Sequence, residues 1–306
     1  MQPFKMMIGD MVNDEQKSYA YGIQSMLSNS GAVIAAFFPF LLTVLGVANT
    51  AKKGVVPQSV VISFYVGATI LVITSLLTVT KVHEYDPKTY ARYHGIKEED
   101  NKEGGNWFEL LKKAPKVFWQ VSLVQLFCWF SFQYLSTYAT GAIAENVWKV
   151  TDPSSAGYQL AGNWFGVLTA VQSIAAVIWS YVLAKVPNDH HKVGYGISLL
   201  LGAIGYGSIF FIHSQNILIV SFILIGISWA AMNTYPLTMV SNALSGKHMG
   251  TYLGLFNCSI CLPQIIASLL SFILFPLMKY SMPAMMLTAG ISGILAAVCV
   301  LFIKET

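Results

Sequence analysis

Charge is what this chain has least of. Only 10% of its 306 residues are Asp, Glu, Lys or Arg, while 55% are hydrophobic and 13% aromatic; an average soluble domain carries about 25% charged residues. Fifteen of the 32 charged residues lie between Lys81 and Lys116, leaving 17 for the other 270. That is too few to dress the surface of a soluble fold, so a soluble enzyme, a nucleic-acid binder and a disordered chain are excluded. The net charge of +4 is no sign of a nucleic-acid partner, because the basic residues follow membrane sidedness. Cysteine is scarce as well. Cys128, Cys258, Cys261 and Cys299 all lie in apolar segments, and Cys258-x-x-Cys261 has no second pair to complete a metal site. No loop carries the Asp, Glu or His cluster of a membrane enzyme beyond Asp189-His190-His191, which reads as a solvated turn. Neither enzymatic activity, nor a metal, nor a cofactor is expected. Residues 1–19 also lack the basic start, apolar block and small-residue cleavage site of a signal peptide.

In place of charge there are long apolar runs. Residues 18–51, 54–80, 117–144, 153–184, 193–246, 248–278 and 280–303 are free of Asp, Glu, Lys and Arg. A spanning helix needs about 20 apolar residues. The run 193–246 is broken by His213-Ser214-Gln215-Asn216, so the spans expected are about 20–46, 58–80, 117–144, 161–184, 193–212, 217–240, 250–275 and 282–303. Hydrocarbon offers backbone groups no partners, so spans are helices or closed-barrel strands. The missing apolar–polar alternation favours helices. The reading is an all-α integral membrane protein with eight transmembrane helices, in contact with membrane lipid.

Sidedness follows from Lys and Arg. The loops 11–19, 81–116, 185–192 and 245–249 and the tail 304–306 hold 13 basic residues; the opposite loops hold only Lys52, Lys53, Lys149 and Lys279. This places the first set, and the carboxy terminus, in the cytoplasm. The segment 81–116 divides two spans from six. Within it Asn106 and Glu109 have capping-box spacing ahead of Leu110 and Leu111, which predicts a short helix at the interface or a lead-in to the next span. Six spans after a charged cytoplasmic loop suggest half of a carrier built from two six-helix bundles. The expected division is 1–80, a partial amino-terminal bundle; 81–116, a central loop with a short interfacial helix; and 117–306, a complete carboxy-terminal bundle. Met1–Gly9 reads as the last turns of a span whose beginning is missing.

Polar groups are kept in apolar helices when they are paired or functional. Asp10 ends an apolar stretch near water, where it either exchanges a proton or pairs with Lys17. Lys5 lies about 140° around the same helix, so it faces a cavity or another helix. Span 117–144 carries Gln125, Trp129 and Gln133 on one stripe, with Tyr134 and Tyr138 one turn apart. Rings flanked by amides suit the apolar faces and hydroxyls of a sugar; they equally suit aromatic packing and helix–helix hydrogen bonds. Asn163 and Gln172, Trp229 and Asn233 beside Tyr235-Pro236, and Asn257 with Pro263-Gln264 are further candidates. Gly162-x-x-x-Gly166 and Gly250-x-x-x-Gly254 are small-residue pairs that permit close helix crossings. Gly202-Ala-Ile-Gly205-Tyr-Gly207 lies in a span without a preceding strand and is no nucleotide loop.

Two stretches resemble a known family. Gln2-Pro3-Phe4-Lys5-Met6-Met7-Ile8-Gly9-Asp10, followed by a polar loop with Asp14, Glu15 and Lys17, is similar to the fourth helix of sucrose- and maltose-type proton symporters of the major facilitator superfamily. Pro3, Lys5 and Asp10 fall on that family's Pro, Arg and Asp. Gly254-Leu-Phe-Asn257, followed by Pro263-Gln264, is similar to its eleventh helix, and Tyr235-Pro236 fits its tenth. The resemblance runs in order from helix four to helix twelve. It implies helices 5–12 of a twelve-helix fold plus the end of helix 4, with the first three helices lacking, so that uptake by this chain alone is not expected. It implies a proton-coupled carrier of a small sugar, a disaccharide or glycoside, in the plasma (bacterial inner) membrane. Asp10 would be the proton-coupling group. Lys5, Gln125, Trp129, Gln133, Tyr134, Tyr138, Asn163, Trp229, Asn233, Asn257 and Gln264 would serve the sugar, and the proton would be the coupling ion. Lys5 replaces the family's Arg, and Ser136 and Tyr138 stand where the plant carriers have acidic residues. The alternatives are a carrier of the same fold with other cargo and a non-transporting membrane fragment or interaction protein. The oligomeric state is not readable.

Overall fold

The computed structural model describes residues 14–48, 55–82, 89, 107–183, 185–186, 190–243 and 249–303. These form ten α-helices: α1 (Asp14–Val44), α2 (Gln58–Lys81), α3 (Trp107–Lys113), α4 (Lys116–Ile143), α5 (Ala156–Leu183), α6 (His191–Ser208), α7 (Leu218–Ala243), α8 (Met249–Phe256), α9 (Cys258–Leu277) and α10 (Met282–Val300). A π-turn, Ala144–Trp148, continues α4. Helix stands at every segment where a span is expected. Five stretches of helix are long and apolar enough to cross a membrane: Gln58–Lys81, Ala156–Leu183, Leu218–Val240, Gly254–Leu277 and Met282–Val300.

Local chemistry sets the helix ends. Pro57 and Pro115 stand at the N-caps of α2 and α4, where their missing N–H removes nothing from the helix. Ser281 caps α10, its hydroxyl accepting from the N–H of Ala284. At the span expected over 250–275 the helix runs in two pieces, α8 and α9, that meet at Asn257, and Gly254–Leu277 across the junction is one stretch long enough to span. There the N–H of Asn257 bonds to Gly254 O, three residues back instead of four, which tightens the turn and divides the helix. The short helix α3 is docked rather than free. Leu110 is buried, and its carbonyl accepts from the Tyr252 hydroxyl of α8 at 3.0 Å.

Helices α4 to α7 and α10 contribute to two core layers, with α8 in the first and α9 in the second. One holds Phe118, Val124, Tyr195, Ala231, Tyr235, Phe256 and Val300. The other holds Leu135, Ala139, Tyr206, Phe222, Ala267 and Met285. Followed from layer to layer, α4, α6 and the α8–α9 pair run one way and α5, α7 and α10 the other. Hydroxyls stitch α4 to α10 between the layers. Ser131 donates to Ala289 O at 2.8 Å and Ser292 to Phe127 O at 2.9 Å.

Glycine sets the closest approaches. A Cβ on Gly290 of α10 would lie 2.8 Å from the Gly207 Cα of α6, and one on Gly205 would lie 2.6 Å from Ser221 O of α7. Gly226 of α7 sits directly against the Gln172 carbonyl of α5. The glycines of Gly202-Ala-Ile-Gly205-Tyr-Gly207 are therefore contact points between helices. Of the pairs singled out from spacing, Gly254 has nothing within 4 Å of its Cβ position and Gly162 meets the Thr140 methyl at 3.9 Å. Helix α1 packs on α5, and α2 packs on α1.

Candidate functional site

A cavity of about 260 Å³ lies between α1 and the faces of α4, α5 and α7. Helical periodicity builds its walls. Ser28 and Ala32 come from one face of α1, Phe132, Leu135 and Ser136 from α4, Phe165, Thr169, Gln172 and Ser173 from α5, and Trp229 from α7. None of these side chains carries a charge.

Rings form one wall. Phe132 stacks on Trp229 with centroids 4.4 Å apart and 29° between planes. Trp129 stands edge-on to both, at 5.7 and 5.8 Å. Such ring contacts contribute beyond the area they bury, and they hold the Trp229 face fixed. Hydroxyls from α4 and α5 line it as well. Ser136 donates to Gln133 O at 2.9 Å, Thr169 to Gly166 O at 2.8 Å and Ser173 to Thr169 O at 3.0 Å. Each hydroxyl spends its hydrogen on its own helix and keeps lone pairs to accept from a solute.

Gln172 is the polar exception. It is buried to 7% exposure and lines the cavity, yet its carboxamide takes part in none of the hydrogen bonds among the described residues. An amide in the cavity wall keeps its donors and acceptor for a solute. The contact of Gly226 on the Gln172 carbonyl fixes the backbone from which this side chain projects.

The residues expected at a site are distributed unevenly. Asp10 and Lys5 lie outside the described residues. Trp229 lines the cavity, and Trp129 buttresses it from behind. Gln125 is turned into the α4–α7 contact, where its Nε2 donates to Met232 O at 3.2 Å. Gln133 faces α9, donating to Ser268 Oγ at 3.3 Å and Thr137 Oγ1 at 3.4 Å. Tyr134 and Tyr138 are buried in a ring contact of 5.6 Å, with Phe275 against Tyr138. Asn163 is exposed on α5. Asn233 is exposed and bonds back to Trp229 O at 2.8 Å. Asn257 stands at the α8–α9 break, and Gln264 donates to Ile260 O of its own helix at 3.0 Å. Phe132, Phe165, Thr169 and Ser173 were not legible as site residues, because Phe, Ser and Thr occur on every face of these helices. Ser136 had a signal, as the position where the plant carriers have an acid.

Other polar groups lie elsewhere. His191 contacts Val186 O at 3.1 Å and packs on the Tyr235 ring, while Asp189 lies outside the described residues. The four cysteines are unpaired thiols, and no cluster of three or more potential metal ligands occurs among the described residues. Glu145, in the π-turn beyond α4, is half-buried; desolvation pushes its carboxyl above the usual value and a backbone bond from Met282 pulls it down, with burial the stronger effect.

Comparison with known proteins identifies the fold. A solved bacterial homologue of the human lysosomal transporter Spinster, in an inward-facing and unoccupied conformation, is similar over 99% of this chain and 75% of its own, with 17% identity and a TM-score of 0.56. At that identity the likeness speaks for the fold alone. No curated protein matches the chain. The Major Facilitator Superfamily matches residues 2–268 and again 134–306, together nearly the whole sequence. The chain belongs to the major facilitator superfamily, and is a multi-pass membrane protein of the secondary-transporter class.

Proposed function

We propose that the chain serves proton-coupled movement of a neutral, hydroxyl-rich solute of the disaccharide or glycoside class by alternating access. The observation that carries this reading is the cavity between α1 and α4, α5 and α7. It combines a stacked Phe132–Trp229 wall, hydroxyls with free lone pairs and the unpaired amide of Gln172, with no charged side chain among the described residues of its lining. A sugar ring offers an apolar face to the rings and hydroxyls to the amide, and a charged solute finds no counter-ion among these residues. The volume of about 260 Å³ lies just under the range of ligand sites, about 300–1,000 Å³. A two-ring solute therefore requires the cavity to widen, as alternating access provides. Proton coupling is assigned to Asp10 by resemblance, with the proton as the coupling ion.

The same reading gives eight spans, equivalent to helices 5–12 plus the end of helix 4, divided at 81–116. It puts the chain in the plasma (bacterial inner) membrane. The carboxy terminus is cytoplasmic, since the basic loops lie on that side. The test is direct. The chain in nanodiscs is titrated with maltose, sucrose and an aryl glycoside while tryptophan fluorescence is followed. Uptake of ¹⁴C-maltose into proteoliposomes is measured under proton and sodium gradients. Neutral glycosides are expected to shift the fluorescence, and Gln172→Leu to weaken binding about tenfold or more, the effect of leaving a recognised hydroxyl unpaired, with the melting temperature unchanged. Asp10→Asn is expected to remove the response to a proton gradient. Binding of charged or wholly apolar compounds in preference to every glycoside overturns the sugar assignment.

A further inference from the structure

Pro236 lies inside α7. A proline lacks the N–H that would bond to the carbonyl four residues back, and its ring crowds that carbonyl. The carbonyl left over is that of Met232, which is buried and shielded from water. An orphaned buried carbonyl needs a donor from elsewhere. Gln125 of α4 supplies it, through Nε2 at 3.2 Å. The two halves of α7 are held differently. Before the break, Gly226 lies against the Gln172 carbonyl, Gly205 of α6 meets Ser221 O, and Gly202 of α6 meets the Ser228 side chain. Among the described residues no glycine crossing of this kind involves the half beyond Pro236, which is held by side-chain packing, with Val240 buried in the core and Met239 and Ala243 against it. The α4–α7 contact also holds an unused acceptor and an unused donor. Gln125 Oε1 and Trp129 Nε1, one turn apart on α4, are buried with no hydrogen-bond partner. The contact is thus less fully hydrogen-bonded than the serine crosslinks between α4 and α10.

We propose that Met232–Pro236 is a hinge in α7 and that Gln125 is its latch. Gln125 is then a positioning residue rather than a solute ligand. It ties the broken turn of α7 to α4, one turn from Trp229 in the cavity wall. Release of the latch frees the half of α7 beyond Pro236 to tilt while the glycine-clamped half stays in place. The carrier reading enters only through the kinetic readout below.

A double-mutant cycle on the full chain tests the latch. Gln125→Met keeps the side-chain volume and removes the donor. Pro236→Ala restores a backbone N–H at 236, which then satisfies Met232 O within the helix. Gln125→Met alone is expected to lower the melting temperature in detergent by about 2–4 °C, the shift of one lost hydrogen bond in a protein of this size. In the P236A background it is expected to lower it by less than about 1 °C. A chain that fails to fold with Gln125→Met but folds once Pro236→Ala is added gives the same answer. Equal losses in both backgrounds overturn the latch. In ¹⁴C-maltose uptake, Gln125→Met is expected to change the maximal rate about threefold or more with KM unchanged. A raised KM at an unchanged rate would place Gln125 on the solute and overturn the proposal. If this chain alone takes up no maltose, as the resemblance implies, the melting cycle alone decides the latch.

Discussion

The helix α2 and the bundle formed by α4 to α10 have similar apolar compositions, but their polar groups behave in opposite ways. In α2 every observed hydroxyl bond runs inward to its own helix. Ser63, Thr69, Thr74, Thr78 and Thr80 donate to carbonyls four residues back, at 2.7–2.9 Å, and the spanning window of this helix has no buried residue. In the bundle the hydroxyls also reach across. Ser131 and Ser292 join α4 to α10, Ser259 joins α9 to Ser122 of α4 at 2.9 Å, and Ser208 pairs with Ser221 between α6 and α7 at 2.8 Å. A hydroxyl facing lipid has no partner except its own backbone. A hydroxyl facing another helix can crosslink. Composition cannot separate these environments; the direction of each polar bond does.

Glycine gives the largest expected contrast. At Gly290 a Cβ would run into Gly207 Cα, Gly207 N and Ala203 O at 2.8–3.0 Å, all backbone atoms that cannot rotate away. Gly67 in α2 has nothing within 4 Å. Gly290→Ala should destabilise by about 1–3 kcal/mol through overpacking, and Gly290→Leu should leave no folded peak in size-exclusion chromatography. Gly67→Ala should be neutral or stabilise by up to about 1 kcal/mol, since Gly is the weaker helix former. Equal sensitivity at the two positions would mean that α2 is packed against protein rather than lipid.

The helices were legible because long charge-free runs have one solution in hydrocarbon. Contacts between them were not. Glycine spacing singled out Gly162 and Gly254, but the tight crossings belong to Gly205, Gly226 and Gly290, because the partner helix decides which glycine is needed. The stripe Gln125–Trp129–Gln133 was legible as a face of α4. Its three residues nonetheless meet three different neighbours, Met232, Trp229 and Ser268, because α4 is surrounded by several helices along its length. One signal in the sequence did point to an amide partner for α7: Pro236 orphans the Met232 carbonyl, and a buried amide is the natural donor. Nothing in the sequence says which amide. Gln172 was legible only as a polar residue in an apolar span; its lack of a partner depends on the cavity.

A smaller effect tests the crosslinks. Ser131→Ala removes a donor to Ala289 O, and interhelical bonds in membranes contribute about 0.6 kcal/mol on average. Thr74→Val removes a hydroxyl bonded only within α2 and frees a carbonyl that keeps its backbone partner. Ser131→Ala should lower the melting temperature by about 1–2 °C and Thr74→Val by less. Reversal of this order would place the crosslinking hydroxyls in the wrong region.

The smallest expected effect is a pH dependence at the bundle's end. Burial holds the Glu145 carboxyl above its ordinary value of 4.5. The folded chain therefore keeps this proton to higher pH than the unfolded chain. Where the folded state binds more protons, stability falls as pH rises. The contribution of the protonated carboxyl is full below pH 4.5 and is lost as pH climbs through the raised folded value. Glu145→Gln is neutral at every pH and lacks this slope. Measured from pH 4 to pH 8, the melting curves of the parent and E145Q should diverge upward from pH 4.5, with E145Q the more stable at the alkaline end. Parallel curves would mean that the backbone bond from Met282 balances desolvation at this site, and divergence in the opposite sense would mean that it outweighs desolvation.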